Sequence, residues 1–415
     1  MITIGKKVRL IPTKEQEQKF LMFAGTHRVA WNLCKSYYDN YLKENKKAVK
    51  KQELRNYIHD LKHNDPNYSW LNEVPEAIPK QAIDDLLRCY RRAYLKVKKY
   101  GWDADNPDKY KPHYKTKKNL RQTFYQRTDK IHKVDDTHIK ITGISTPIKC
   151  PALKNIALPQ GIHNPRITFN GKHWFLSYTY ETEQPKPIEF ERKSLGIDVG
   201  LKEFVIISTG KHYRNINKDA DMIKLKKRLK RVQRQLSRKQ LLNCSTDDNG
   251  KKKYKSTKNS CKLSKVVNRI YKKIADKKKT YIHEVVKDLM KTKPSTIVIE
   301  DLNYRFMSKN RKVANAINQQ LFSYFNFVLN YKCEWNGIEL KYANRFYPSS
   351  KRCSSCGNIK HDLKLYQRVY HCDICGLVMD RDENAAINLE KCNDFKKIGV
   401  RHTELTPSEN YIKPK

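Results

Sequence analysis

The sequence predicts a multidomain α/β protein. An N-terminal antiparallel β-barrel interrupted by helices precedes an α/β domain with an inserted cysteine ribbon. Three observations lead there. Two short apolar runs, SLGIDV and STIVIE, each close on an acid. Two CxxC pairs, at 353–356 and 372–375, stand fifteen residues apart. Strand-like stretches flank a helical stretch in the first half of the chain.

Residues 2–11 alternate in polarity and read as a strand. Pro12 and Thr13 then start a helix, with Phe20, Phe23, Ala24, His27 and Trp31 at helical spacing. Helical patterns run to about residue 100, with breaks expected at Asn64–Pro66, Pro75 and Pro79. Near their end Tyr90, Arg91, Arg92, Tyr94, Lys96, Lys98 and Lys99 mix aromatic and basic side chains. That suits base stacking with phosphate contact, and equally an amphipathic helix with a solvated basic face. Residues 102–114 read as a loop and 120–183 as strands, with Asn170-Gly171 marking a hairpin. Residues 183–187 form a linker.

Ser194 to Thr209 reads as two buried strands joined by a tight turn, with Asp198 ending the first. Gly196 and Gly200 leave space around it for an anion and its metal to approach the backbone. Lys224 to Lys239 holds nine Lys/Arg and no acid. Its apolar stripe, Leu225, Leu229, Val232 and Leu236, predicts a helix docked along one edge. Lys224, Lys227, Arg228, Arg231, Arg234 and Arg238 would then lie along phosphates. Residues 243–261 read as polar and mobile. A helix over about 262–291 follows, on which His283 reads as packed or solvent-facing rather than catalytic. The Glu300 strand comes next. An aromatic helix over about 314–336, read as core, and a strand over 338–346 complete the domain.

Asp198 and Glu300 end strands, and Asp382 lies in the first turn of a short helix. Three such acids suit two Mg²⁺ ions, which take oxygen ligands. Two ions roughly 3.5–4 Å apart can act on a phosphodiester. Each acid also has a plain reading. Asp198 could sit in a tight turn, or in the phosphate loop of an actin-like ATPase. Glu300 could be a strand-end solvent contact. Asp380 could be a helix N-cap with Glu383 completing a capping box, which leaves Asp382 as the ligand. Cys353, Cys356, Cys372 and Cys375 form two knuckles that together complete a tetrahedral, structural Zn²⁺ site. Redox chemistry normally needs one pair at a helix start instead.

Among 415 residues, 86 Lys+Arg against 43 Asp+Glu give a formal charge of +43. A surface so basic calls for a polyanion, and nucleic acid is the expected partner. Eleven cysteines, no signal peptide and no span-length apolar run predict a reducing, cytosolic setting without membrane contact.

Five segments carry a resemblance: VRLIPTKEQEQKF, GIDVGLKEF, IVIEDLN, YPSSKRCSSCG with HCDICG, and DRDENAAINL. In this order they resemble the TnpB family of insertion-sequence proteins, which is similar to the compact type V CRISPR nucleases. The resemblance implies an RNase H-like RuvC nuclease domain at 187–348 and 378–392, with a zinc ribbon at 349–377. Asp198, Glu300 and Asp382 would be its catalytic metal ligands. Asp382 is preferred over Asp380 because the family motif places its acid two residues before Asn384. A wedge barrel at 1–14 and 106–186 would surround a helical recognition domain at 15–105, and the polar segment 393–415 would be a disordered tail. A guide RNA from the transposon end would pair with target double-stranded DNA beside a short flanking motif. Arg352, beside the ribbon, is placed on the scissile strand. The expected particle is a monomeric ribonucleoprotein in the bacterial cytoplasm, at the nucleoid. The rival expectations are a cleavage-inactive RNA-guided repressor and a transposase or its DNA-binding accessory.

Overall fold

The computed structural model describes residues 1–101, 108–117, 121–154, 161–185, 187–246, 250, 252–364 and 366–396. Most of the expected tail, half of the expected loop at 102–114 and part of the polar segment at 243–261 lie outside the described residues. The chain divides into two compact units after Gln184, against an expected boundary at 186.

In the first unit β1 (Ile2–Leu10) is followed by α1 (Lys14–Asn45), α2 (Lys51–Asn64) and α3 (Ala77–Tyr100). Then come β2 (Arg121–Tyr125), β3 (Ile131–Lys133), β4 (His138–Ile141), β5 (Ile148–Lys149), β6 (His163–Asn170) and β7 (Trp174–Thr182). The antiparallel order β1-β7-β6-β2 forms one sheet and β3-β4-β5 a second. Backbone pairing between Ile11 and Lys149 links them, and both bury side chains in one core around Val8, Ile139, Ile148 and Trp174. Hydrogen bonding thus divides the expected barrel into two sheets. The Asn170-Gly171 turn forms as expected: the Asn170 side chain accepts from the Lys172 and His173 N–H groups, and Gly171 takes φ +87°.

Thr13 and Gln16 cap α1 reciprocally. The first half of α1 buries Phe20 and Phe23 in the sheet core, and its second half packs Trp31, Cys34 and Tyr38 into the helical core that also holds Leu86 and Tyr90. Pro79 breaks nothing. It lies in the first turn of α3, where a proline costs no intrahelical hydrogen bond. Tyr90 is 9% exposed, stacks on Tyr38 at 3.9 Å and donates to Asp39, so it is core and not a stacking platform. His27 belongs to a buried polar node. It pairs with Asp85, which also accepts two bonds from Arg166 at 2.7 and 2.8 Å.

In the second unit β8 (Arg192–Val199), β9 (Glu203–Ile207) and β10 (His212–Arg214) form an antiparallel meander. Helix α4 (Ala220–Leu241), the hairpin of β11 (Cys244–Thr246) and β12 (Lys252–Tyr254), and helix α5 (Lys258–Met290) follow. The chain then re-enters the sheet as β13 (Pro294–Glu300). Helices α6 (Tyr304–Met307), α7 (Arg311–Gln320) and α8 (Phe322–Asn336) lead to β14 (Glu339–Ala343). A hairpin of β15 (Val369–His371) and β16 (Val378–Asp380) and helix α9 (Arg381–Glu390) complete the unit. The sheet order is β10-β9-β8-β13-β14, with β13 parallel to both neighbours.

Strand alternation gives this sheet two different faces. Leu195, Ile197, Ile297 and Ile299 join the core built with α5 and α8. Gly196, Asp198, Val298 and Glu300 point the other way, toward α9. The aromatic helix is interrupted where the pattern predicts continuity. Leu321 takes φ +58° between α7 and α8, a conformation costing roughly 1–2 kcal/mol. Turning there lets Phe322 stack on both Phe204 and Tyr304. Helices α4 and α5 pack through Leu229, Val232, Val267 and Ile270. Residues 393–396, expected in the tail, are ordered: Phe395 pairs with Ala343 and the Lys396 N–H donates to Tyr342.

Candidate active site and metal centre

Asp198 and Glu300 lie at the carboxyl ends of adjacent parallel strands. Gly196 is level with Val298 and Ile197 with Ile299. Continuing that register sets Asp198 beside Glu300, one strand spacing away, about 4.8 Å. Helix α9 crosses the same face. At Gly196 it comes so close that a Cβ would stand 1.9 Å from the Ala386 carbonyl oxygen. The glycine is therefore required by helix packing, a correction to its reading as room for an anion. Gly200 serves the β8–β9 turn, where the nearest atom to a Cβ would be the Glu203 carbonyl oxygen.

Asp380 caps α9 by accepting from the Asp382 and Glu383 N–H groups at 2.8 and 3.2 Å. The capping box is absent, because Glu383 pairs with His212 at 2.6 Å instead. Asp382 is not the cap. Its carboxylate contacts Arg381 at 3.1 Å and Arg368 at 3.6 Å.

Burial raises the Asp198 pKa well above the ordinary carboxylate value, and the Glu300 and Asp382 charges raise it further. Glu300 is raised by burial and by Asp382, while the Ser349 hydroxyl that donates to it pulls the other way. Asp301, the next residue, goes down despite burial, held by Lys396 at 2.9 Å and Arg345 at 2.7 Å. Two buried carboxyls whose proton affinity is raised, with the Asp382 carboxylate close enough to contribute to both shifts, are a donor set that fits hard divalent cations.

The four cysteine sulfurs lie within 4.8 Å of one another, with Cys353–Cys375 and Cys356–Cys372 at 3.5 Å. A tetrahedral ion with bonds of about 2.3 Å separates its sulfurs by roughly 3.8 Å, so the quartet could hold a zinc ion. Backbone N–H groups point at the sulfurs: that of Cys375 leads in pushing the Cys372 thiol down to about 6, and that of Leu377 lowers Cys375. Among the described residues this is the one set of three or more such ligand atoms so close together.

Sequence reasoning missed how the ribbon is fastened. Asn384 and Asn388 of α9 are at most 2% exposed. Asn384 accepts from the Ser354 N–H and donates to the Arg352 carbonyl; Asn388 donates to the Ser349 and Arg352 carbonyls. Asn384 served earlier only to locate an acid, although two Asn at helical spacing beside an acid were the available signal. Replacing Asn388 with Leu should cost about 1–3 kcal/mol, because buried carbonyls lose their donor. Thermal denaturation reads the loss, and hydrogen exchange should rise at 349–354.

Arg352 exposes its side chain, as do Lys224, Lys227, Arg228, Arg231, Arg234 and Arg238. Lys226, on the same helix, is spent inside the fold on Asn217 and Gln319. His283 faces outward and bonds Tyr324 at 3.0 Å.

Comparison with known proteins gives three family matches. Residues 1–47 match a "Helix-turn-helix domain", HTH_OrfB_IS605. Residues 177–311 match OrfB_IS605, "Probable transposase". Residues 322–389 match "Cas12f1-like, TNB domain". A "Putative RNA-guided DNA endonuclease" of Streptomyces pristinaespiralis is 28% identical over 387 residues, 92% of this chain and 87% of that protein. Its Escherichia coli K12 counterpart InsQ is 24% identical over 404 residues, 92% of this chain and 90% of that protein. The "TnpB-like protein L79" of Acanthamoeba polyphaga mimivirus is 28% identical over 227 residues, 48% of this chain and 37% of that protein. The matched segments lie in this order along the sequence, and over 92% of its length the chain is similar to these putative RNA-guided DNA endonucleases.

Proposed function

We propose that this chain is an RNA-guided DNA endonuclease of transposon origin that cuts double-stranded DNA beside a short flanking motif. One observation carries the chemistry: Asp198 and Glu300 stand level on neighbouring strands, and Asp382 is near enough to raise the pKa of both. The order β10-β9-β8-β13-β14 with its central parallel pair supports an RNase H-like, RuvC-type reading of the sheet. The guide RNA would come from the transposon end. The two sheets and helices of the first unit serve as wedge and recognition domains in this reading, and the particle is a monomeric ribonucleoprotein in the cytoplasm.

Two Mg²⁺ ions held by Asp198, Glu300 and Asp382 would supply an activated water and charge on the leaving 3′ oxygen. The protein's own part is to fix the carboxylates. Ser349 orients Glu300 by donating to it. Asp380 starts α9 and so aims Asp382 at the sheet. Asn384 and Asn388 tie that helix to the cysteine ribbon, whose zinc would be structural because four sulfurs leave no open position. The exposed basic side chains of α4 and Arg352 would take phosphates of the nucleic acid.

The test is plasmid cleavage by the purified ribonucleoprotein, in Mg²⁺ and in EDTA. Cutting that needs both guide and Mg²⁺ is expected. Guide-dependent binding without cutting would establish the repressor instead, and strand joining the transposase. Arg368 adds a second prediction. Its guanidinium competes with a cation for Asp382, so Arg368→Gln should tighten Mn²⁺ binding by roughly two- to fivefold, the range of one exposed ion pair. Calorimetric titration measures it.

A further inference from the structure

Beside Glu300 lies a cavity of about 210 Å³, walled by Glu300, Asn303, Phe306, Met307, Arg345 and Tyr347. It opens between the carboxyl ends of β13 and β14, where Glu300 is level with Ala343. Ligands of parallel α/β sheets gather at that end of the strands. The volume falls below the roughly 300–1,000 Å³ of an ordinary small-molecule pocket. It suits one flat ring system rather than a whole metabolite.

Phe306 stands at this cavity with 69% of its surface exposed. The fold does not use its ring: neighbouring Tyr304 packs against the core, while Phe306 is left outside it. The local backbone holds it there, since the Asn303 side chain accepts from the Phe306 N–H at 3.1 Å. Cations stand near the opening. Lys309 lies 5.9 Å from the Phe306 ring, and Asp301, which also lines the cavity, is neutralised by Arg345 and Lys396. An exposed aromatic face with cations at its rim is the construction that holds unpaired nucleotides. A charge of +43 makes a polyanion the partner to expect.

We propose that this cavity binds one unpaired nucleobase of the strand being cut, stacked on Phe306, and so positions the neighbouring phosphodiester at Glu300. The inference rests on the nuclease reading and deepens it. Stacking tolerates any base, so the site would steady the strand without selecting a sequence. Phe306 is a positioning residue, because it touches the base and not the reacting atoms.

The assembled ribonucleoprotein is given target DNA carrying a single abasic nucleotide at each position around the mapped cut. One position beside the cut should slow wild-type cleavage by about 5- to 150-fold, the worth of one base–aromatic stack. Phe306→Ala should slow cleavage of intact DNA as much, and the abasic change should then add nothing. Phe306→Tyr, which keeps the ring, should restore the rate. Wild-type speed in Phe306→Ala, or abasic and alanine effects that multiply, would overturn the pocket. A second readout needs no cutting: 2-aminopurine scanned along the strand, in EDTA, should be quenched at one position by wild type and Phe306→Tyr but not by Phe306→Ala. That quenching without any Mg²⁺-dependent cleavage would reject the nuclease while keeping the pocket. Cleavage without it would reject the pocket alone.

Discussion

Asp198→Asn should lower the cleavage rate by at least roughly 10²–10³-fold, the scale set by losing one preorganised charge at a reacting centre. It should also raise the melting temperature of the metal-free protein. The two effects share a cause. Burial, then Glu300 and Asp382, push the Asp198 pKa up, so the folded state holds this carboxylate at a disadvantage. Below the ordinary value near 3.8 the group is protonated whether folded or not, and nothing is lost. As pH rises past that value the unfolded chain releases its proton and the folded chain resists, so stability falls until the raised value is passed. Asparagine removes the charge and keeps the shape. At neutral pH each kcal/mol so recovered moves the transition of a domain this size by about 2–4 °C. Calorimetry in EDTA measures the gain, and filter binding should find guide RNA retention nearly unchanged. A variant that melts lower and still cuts would remove Asp198 from the site.

Gly196→Ala should be the more damaging change, although it adds one methyl group and touches no carboxylate. The new carbon would stand 1.9 Å from the Ala386 carbonyl oxygen and 2.5 Å from the Glu390 nitrogen. Both are backbone atoms of α9, so no side chain can swing aside. The helix has to lift, and Asp382 lifts with it. Overpacking of this kind costs about 1–3 kcal/mol, more where backbone is involved. Melting should therefore fall by several degrees while cutting is lost. Gly210→Ala serves as the comparison, since open space surrounds that position. Its φ of +79° makes the alanine strained without moving α9, so it should lose stability and keep cleavage.

Much of the proposed centre was legible because its residues are costly anywhere else. Acids closing apolar strands, as Asp198 and Glu300 do, need a reason to be there, and paired CxxC knuckles have few uses. A motif favours Asp382 over Asp380 as the ligand, and Asp380 is occupied by two backbone donors. What sequence could not give was tertiary. Gly196 looks like room for a ligand until α9 is laid over it. Asn384 and Asn388 look like polar helix residues until the ribbon backbone arrives beneath them. Pro79 reads as a breaker unless the helix start is known to within a turn. Tyr90 belonged to a basic stripe by spacing, yet its ring was claimed by Tyr38, far off in sequence. The kink at Leu321 is decided by Phe204, from another strand.

The docking of α9 on the sheet also fixes when a growing polypeptide becomes dangerous. Asp382 lies 184 residues after Asp198 and 82 after Glu300, so synthesis reaches it last of the three, and the helix cannot settle until it has emerged as well. A product that stops before Asp382 lacks the third acid of the proposed centre. Under the proposed function, such fragments keep the basic side chains of α4 but carry no complete cutting centre into the cell.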